Sequence, residues 1–165
     1  MKHTLSVLVE NKPSVLARIA GLFSRRGFNI DSLAVGITEN PDISRMTIVI
    51  DAEDRSLEQV TKQLHKLINV LKISDLDPRR SVIRELVLIK VAANAKSRAQ
   101  IIEVADIFRA NIVDVSPVSL TLEVTGGASK LRALEDLLRP YGVIEFVRTG
   151  KIALPRGSAE VKEKE

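Results

Sequence analysis

Leu5, Val7 and Val9 stand two apart in a short apolar stretch and predict a β-strand over residues 3–10. The apolar period then lengthens. Val15, Leu16, Ile19, Ala20, Leu22 and Phe23 fall on one helical face, with Arg18 and Arg25 on the other side and Ser14 as the candidate N-cap. Gly27 stands where a helix end favours a left-handed residue. From Phe28 to Ile37 the chain is strand-like, but the spacing Ile30, Leu33, Val35, Ile37 breaks strict alternation and predicts a bulge after Asp31. Asn40-Pro41-Asp42 predicts a turn. Met46, Ile48, Ile50 and Ala52 then alternate with Arg45, Thr47, Val49 and Asp51 as a strand with one buried face. Ser56-x-x-Gln59 has capping-box spacing before Leu57, Val60, Leu64 and Leu67, and Leu71 and Ile73 predict a last strand. The order is βαββαβ, the split βαβ plan.

After the polar break Asp77–Ser81 the plan recurs. Val87, Ile89 and Val91 predict a strand. Ser97-x-x-Gln100 repeats the capping spacing, and Ile101, Val104, Ala105 and Phe108 make a helix face that Asn111 is placed to stop. Ile112–Val115 and Leu120–Val124 predict two strands. Leu131, Leu134, Leu137 and Leu138 predict a second helix, and Ile144 and Phe146 a last strand. The expected fold class is therefore α+β, with two ferredoxin-like domains at residues 1–77 and 82–157. The charged segment 158–165 lacks an apolar face and is expected to be disordered.

Composition narrows the chemistry. Aliphatic residues dominate, aromatics make up 3%, and there is no cysteine among 165 residues. Disulfides, thiolate catalysis and Cys-based zinc sites are thereby excluded. His3 and His65 are far apart in sequence and read as surface residues rather than metal ligands. Glu10 interrupts the first apolar stretch, and no uncharged apolar run approaches the roughly 18 residues of a membrane span. A soluble, cytoplasmic chain without a membrane role is expected. The net charge of +4 raises nucleic acid as a partner. The bases, however, interleave with acids, and the central strands lack the paired aromatics on which RNA bases stack, so no nucleic acid is expected. Nor is there a Ser–His motif, a phosphate-binding loop or a dinucleotide fingerprint; Gly126-Gly127 lacks the following Lys-Ser/Thr. No catalytic residue, metal site or cofactor site is read in this chain.

One stretch has chemistry of another kind. From Glu10 to Ile30 a polar turn leads from a strand into a helix whose N-terminal amides suit a carboxylate. Asn11 and Asn29 flank that helix with amides that donate and accept. Such a site suits an amino acid that is held and not transformed. Asn11 and Asn29 could equally satisfy turn backbone, and Ser14 could be only a cap.

The run Asn11-Lys12-Pro13-Ser14, with Gly27-Phe28-Asn29-Ile30 after the helix, resembles the ACT domain, a small amino-acid-sensing module. Further segments resemble the small regulatory subunits of acetolactate (acetohydroxyacid) synthase. These are Leu5–Asn11, Gly21–Leu33, Ser44–Ile48, Lys62–Leu67, Arg84–Lys90, Ile107–Arg109 and Ile112–Val115, and the likeness runs over residues 1 to 157. It implies an N-terminal ACT domain and a second ACT-like domain. It also implies a homodimer, and activation and valine feedback of a separate catalytic (large) subunit that holds thiamine diphosphate, Mg and FAD in branched-chain amino acid biosynthesis. The effector contacts carried over are Asn11, Ser14, Val15, Leu16, Asn29 and Ile30, with Lys12, Pro13, Leu33 and Val35 lining the pocket more weakly. Ser14 replaces the usual glycine of the signature, so its Cβ would narrow the site or its hydroxyl add a bond. The second copy has Ala93-Asn94-Ala95-Lys96 in place of the Asn-x-Pro turn, and an absent or different pocket is expected there. The alternative reading is a free-standing ACT sensor or a transcription regulator without an enzyme partner.

Overall fold

The computed structural model describes residues 1–157. The expected disordered segment 158–165 lies outside the described residues. Two compact units are present: Met1–Ile83 together with the segment beginning at Lys151, and Arg84–Gly150.

In the first unit, β1 (Lys2–Glu10), α1 (Val15–Arg25), β2 (Ile30–Ile37), β3 (Ile43–Asp51), α2 (Asp54–His65) and β4 (Val70–Asp75) follow the βαββαβ order. The sheet order is β2-β3-β1-β4, and β1 pairs antiparallel with both β3 and β4. Alternation explains the core. Leu5, Val7 and Val9 face the same side as Met46, Ile48 and Ile50, and meet Val15, Ile19, Leu22 and Phe23 of α1 and Leu57, Val60 and Leu64 of α2. The bulge falls where the spacing put it, with the β2–β3 register shifting between Ile30 and Ser32. Gly27 ends α1 at φ 73°.

The second unit repeats the order with β5 (Ser81–Ala92), α3 (Arg98–Ile107), β6 (Asn111–Val115), β7 (Ser119–Gly126), α4 (Ala128–Leu138) and β8 (Val143–Arg148). Its sheet runs β6-β7-β5-β8; residues 81–83 of β5 lie in the first unit, as does β9 (Ile152–Pro155), which pairs with β5. Its core gathers Val87, Ile89 and Val91 with Ile101, Ala105, Leu120, Leu122, Val124, Leu131, Leu134 and Leu138.

Several local features differ from the sequence reading. Residues 151–157, placed with the second domain from sequence, cluster with the first unit. There the Lys151 N–H donates to Ser32 Oγ at 2.8 Å, and the Arg156 N–H to the Arg80 carbonyl at 2.7 Å. Ser56 caps nothing, because α2 begins at Asp54 with Glu53 as its extended N-cap. Helix α3 ends at Ile107 with Phe108 as its C-cap, not at Asn111, which opens β6; Arg109, at φ 55°, then turns the chain. His3 is not a surface residue: it is 7% exposed. It lies two positions before Leu5 on the same strand face, where its Nδ1 is 3.1 Å from Asp75 Oδ2 and its Nε2 3.6 Å from Asp54 Oδ1 at the start of α2.

Candidate functional site

The turn from β1 into α1 is fixed mainly by its own backbone. The Asn11 N–H donates to the Asp42 carbonyl at 2.7 Å, and the Lys12 N–H donates to the Glu10 carbonyl at 3.0 Å. The Asn11 side-chain amide donates to the Pro41 carbonyl at 3.0 Å. These bonds tie the turn to the Asn40-Pro41-Asp42 loop between β2 and β3. Asn11 therefore does satisfy turn backbone, using one of its two side-chain N–H bonds.

Ser14 is the conformational centre of the turn. It sits at the N-cap with φ 71°, in the left-handed region that glycine enters freely. Its carbonyl accepts the first helical bond, from the Arg18 N–H at 3.0 Å. Its hydroxyl makes no capping bond, contrary to the sequence expectation, because capping requires an extended backbone at that residue. The first turn of α1 also holds no acidic residue. The first-turn amides at Val15 and Leu16 are thus left to an acceptor from outside the helix, at the positive end of its dipole.

A polar brace that the sequence reading missed surrounds this turn. Lys12 Nζ lies 2.7 Å from the Glu10 carboxylate, and that hydrogen bond, with the lysine's charge, holds the Glu10 carboxyl below its ordinary range. Asn69 donates to Glu10 at 3.5 Å and accepts from the Arg18 guanidinium at 3.0 Å. Lys12 is therefore engaged with Glu10. Asn69 follows α2, and only the pairing of β4 with β1 brings it here; no local spacing signals it.

The remaining candidates are split between two places. Asn11, Lys12, Pro13 and Ser14 are exposed, Val15 is buried in the core, and Leu16 is 43% exposed. Asn29 is exposed and donates to Asp31 Oδ1 at 3.2 Å. Ile30 and Leu33 pack half-buried against the core, while Val35 is exposed. Since β2 runs parallel to β1 in space, with β3 between them, Asn29 and Ile30 lie beside the start of β1, where Lys2 Nζ is 3.1 Å from Asp31 Oδ2. The Asn11–Leu16 turn follows the other end of β1. Within one chain the two halves of the candidate site are at opposite ends of the sheet.

The corresponding turn of the second unit is built differently. Asn94 Oδ1 accepts from the N–H groups of Lys96 and Ser97, each at 2.9 Å, and Ser97 Oγ accepts from the Asn94 N–H at 3.1 Å. Ser97 has φ −91°, and no residue of this turn is left-handed. Here the Asn94 side-chain oxygen takes backbone N–H groups of its own turn.

Among the described residues, no helix is long and apolar enough to cross a membrane, and no group of three or more His, Asp or Glu side chains could hold a metal ion.

Comparison with known proteins covers nearly the whole chain. Residues 84–157 match the family profile described as the small subunit of acetolactate synthase, and residues 5–72 that described as the AHAS small subunit-like ACT domain. An acetolactate synthase small subunit of Mycobacterium bovis is 63% identical over 155 residues, covering 94% of this chain and 92% of the relative. A probable acetolactate synthase small subunit of Archaeoglobus fulgidus is 58% identical over 158 residues, covering 96% and 99%. The crystal structure of the acetolactate synthase small subunit from Thermotoga maritima superposes with a TM-score of 0.90 at 41% identity, covering 96% of this chain and 99% of that one.

Proposed function

The chain belongs to the acetolactate synthase small-subunit family, and on that footing we propose that it activates a separate catalytic subunit and makes it sensitive to valine. The observation that carries this reading is the separation of the two half-sites. Among the described residues strand β2 is a sheet edge paired only with β3, and its Val35 and Ile37 are exposed. If two copies pair antiparallel along β2 about a two-fold axis, the beginning of one β2 falls beside the end of the other. Asn29 and Ile30 of the partner subunit then reach the Asn11–Leu16 turn, and each homodimer has two composite sites.

In such a site the first-turn amides of α1 receive the effector's carboxylate. Asn11, with one side-chain N–H and its carbonyl not used by Pro41, and Asn29 hold the polar end. Leu16, Ile30, Leu33 and Val35 surround the side chain with aliphatic surface, which favours valine, leucine or isoleucine. One methylene in an apolar pocket is worth only about 1–3 kcal/mol, so selectivity among the three is modest. Effector binding across the dimer stabilises one arrangement of the pair, and the catalytic subunit binds preferentially to another. That difference in affinity couples the two sites. The thiamine diphosphate, Mg and FAD belong to the catalytic subunit, and this chain takes no part in the bond-making steps.

Thermal unfolding with and without valine tests the site. The wild-type chain gains stability with valine and Asn29→Ala does not; equal gains in both remove the assignment. Addition of the chain to the catalytic subunit tests the role, the expected result being a rise in turnover that valine reverses.

A further inference from the structure

The charge of this molecule is concentrated in one place. Residues 15–26 and 54–66, which comprise α1, α2 and their C-terminal caps, carry Arg18, Arg25, Arg26, Arg55, Lys62 and Lys66 against only Asp54 and Glu58. That excess of four cations equals the net charge of +4 of the entire chain. The rest of the protein is balanced. Between the end of α1 and the outer face of α2 lies a groove of about 540 Å³ lined by Arg26, Gln59, Lys62, Gln63, His65 and Lys66, with no carboxylate in its lining. Lys62 is neutralised by Glu58 at 2.8 Å. Among the described residues Arg26 and Lys66 have no carboxylate within ion-pair distance, and both are exposed.

Two internal roles account for part of this pattern. Cations at the last turns of α1 and α2 complement the helix dipoles, and Arg18 braces the turn through Asn69. Neither role requires Arg26 and Lys66 to border a common groove, where like charges repel and weaken the fold. A surface that keeps such repulsion is suited to an external anion. Gln59 and Gln63 add amide donors and acceptors between the cations, which suits an irregular run of carboxylates and backbone carbonyls better than a regular phosphate backbone.

We infer that the α1–α2 groove is a docking surface for an acidic segment of the catalytic subunit. This inference rests on the regulatory reading above, and it assigns the contact to the face formed by α2 and the end of α1. An effector at the turn before α1 and an enzyme at its C-cap Arg26 then bear on opposite ends of one helix.

The test is the affinity of the full chain for the catalytic subunit of the same organism, measured by biolayer interferometry at low and at physiological salt. Arg26→Glu combined with Lys66→Glu is expected to weaken binding by about tenfold or more, chiefly at low salt. Lys96→Glu combined with Arg132→Glu makes the same change of net charge on the second unit and is expected to bind as wild type does. Arg26→Gln with Lys66→Gln, accepted only if its thermal midpoint matches wild type, separates loss of contact from misfolding and is expected to show a smaller loss. Equal affinity of the two charge-reversed chains overturns the docking surface and leaves the regulatory reading intact. Failure of the wild-type chain to bind the catalytic subunit at all overturns that reading, and this inference with it. Salt-sensitive binding of a mixed-sequence DNA duplex, lost in the groove variants while enzyme binding persists, would also overturn the assignment to an acidic protein segment.

Discussion

The side-chain amide of Asn11 donates to the carbonyl of Pro41 at 3.0 Å, joining the turn before α1 to the loop between β2 and β3. The donor and acceptor are thirty residues apart, so the bond positions the candidate effector turn against a different part of the sheet. Both partners are exposed, and the bond's contribution to stability is about 0.5–1 kcal/mol. Asn11→Ala is expected to lower the unfolding free energy measured in urea by that amount and to remove most of the stabilisation by valine. An unchanged midpoint would show that the backbone bond from Asn11 to Asp42 suffices.

Ser14 holds φ 71° without glycine's freedom and without a compensating cap. A left-handed residue with a Cβ is disfavoured by about 1–2 kcal/mol, part of which glycine's greater freedom in the unfolded chain cancels. Ser14→Gly is expected to stabilise the chain by about 0.5–1 kcal/mol and to strengthen valine binding by opening the approach to the first-turn amides. Ser14→Val is expected to act in the opposite direction on both. Chemical denaturation and calorimetry of the two variants check the pair, and the same sign of change in both would refute the strain.

Phe23 is completely buried and meets Phe28 edge-on, with ring centroids 6.4 Å apart. Phe23→Ala is expected to destabilise by about 3–5 kcal/mol, because the cavity under α1 cannot close against a sheet held on both sides. A double-mutant cycle with Phe28→Leu should give a coupling of about 0.5–1.5 kcal/mol. Additive losses would mean that the ring geometry contributes nothing beyond burial.

Asp77 accepts the Arg79 N–H at 2.9 Å and is also bonded by the Arg79 guanidinium. Those bonds, the backbone one foremost, hold its carboxyl below the ordinary value of 3.8. A carboxyl depressed in the folded state adds stability above its unfolded value, and that stability is lost as the pH falls through the lower folded value. Asp77→Asn keeps an acceptor for the backbone N–H but cannot titrate. Acid unfolding of this variant should therefore show a shallower fall in stability below about pH 4 than wild type. Identical acid limbs would remove Asp77 from the set of linked groups.

The fold was legible where a local pattern and the final packing agreed. The alternation at Met46, Ile48 and Ile50, the bulge after Asp31 and the left-handed Gly27 all come from short-range geometry. Ser56 misled because capping depends on where the preceding strand releases the chain, and Asp51 ends β3 early enough for Glu53 to serve. His3 and Asn69 were missed because each takes its place through strand pairing, His3 against β4 and α2, Asn69 against Glu10. The return of the chain through β9 has the same cause, since neither Ser32 nor Arg80 advertises a partner more than seventy residues away. Of the candidate site, the sequence shows only the run Asn11 to Ile30 and the order of its residues. The strained backbone of Ser14 and the opposite placement of the two halves were not legible there.

Strand β1 has a neighbour on each side, whereas the turn that follows it is held by a handful of bonds near water. Amide protons at residues 5–8 should thus exchange with deuterium only when the whole unit opens, while those of Lys12, Ser14, Val15 and Leu16 exchange through brief local fluctuations. A ligand seated at the turn would slow the second group far more than the first, so deuterium uptake resolved by residue would locate the occupant without any substitution.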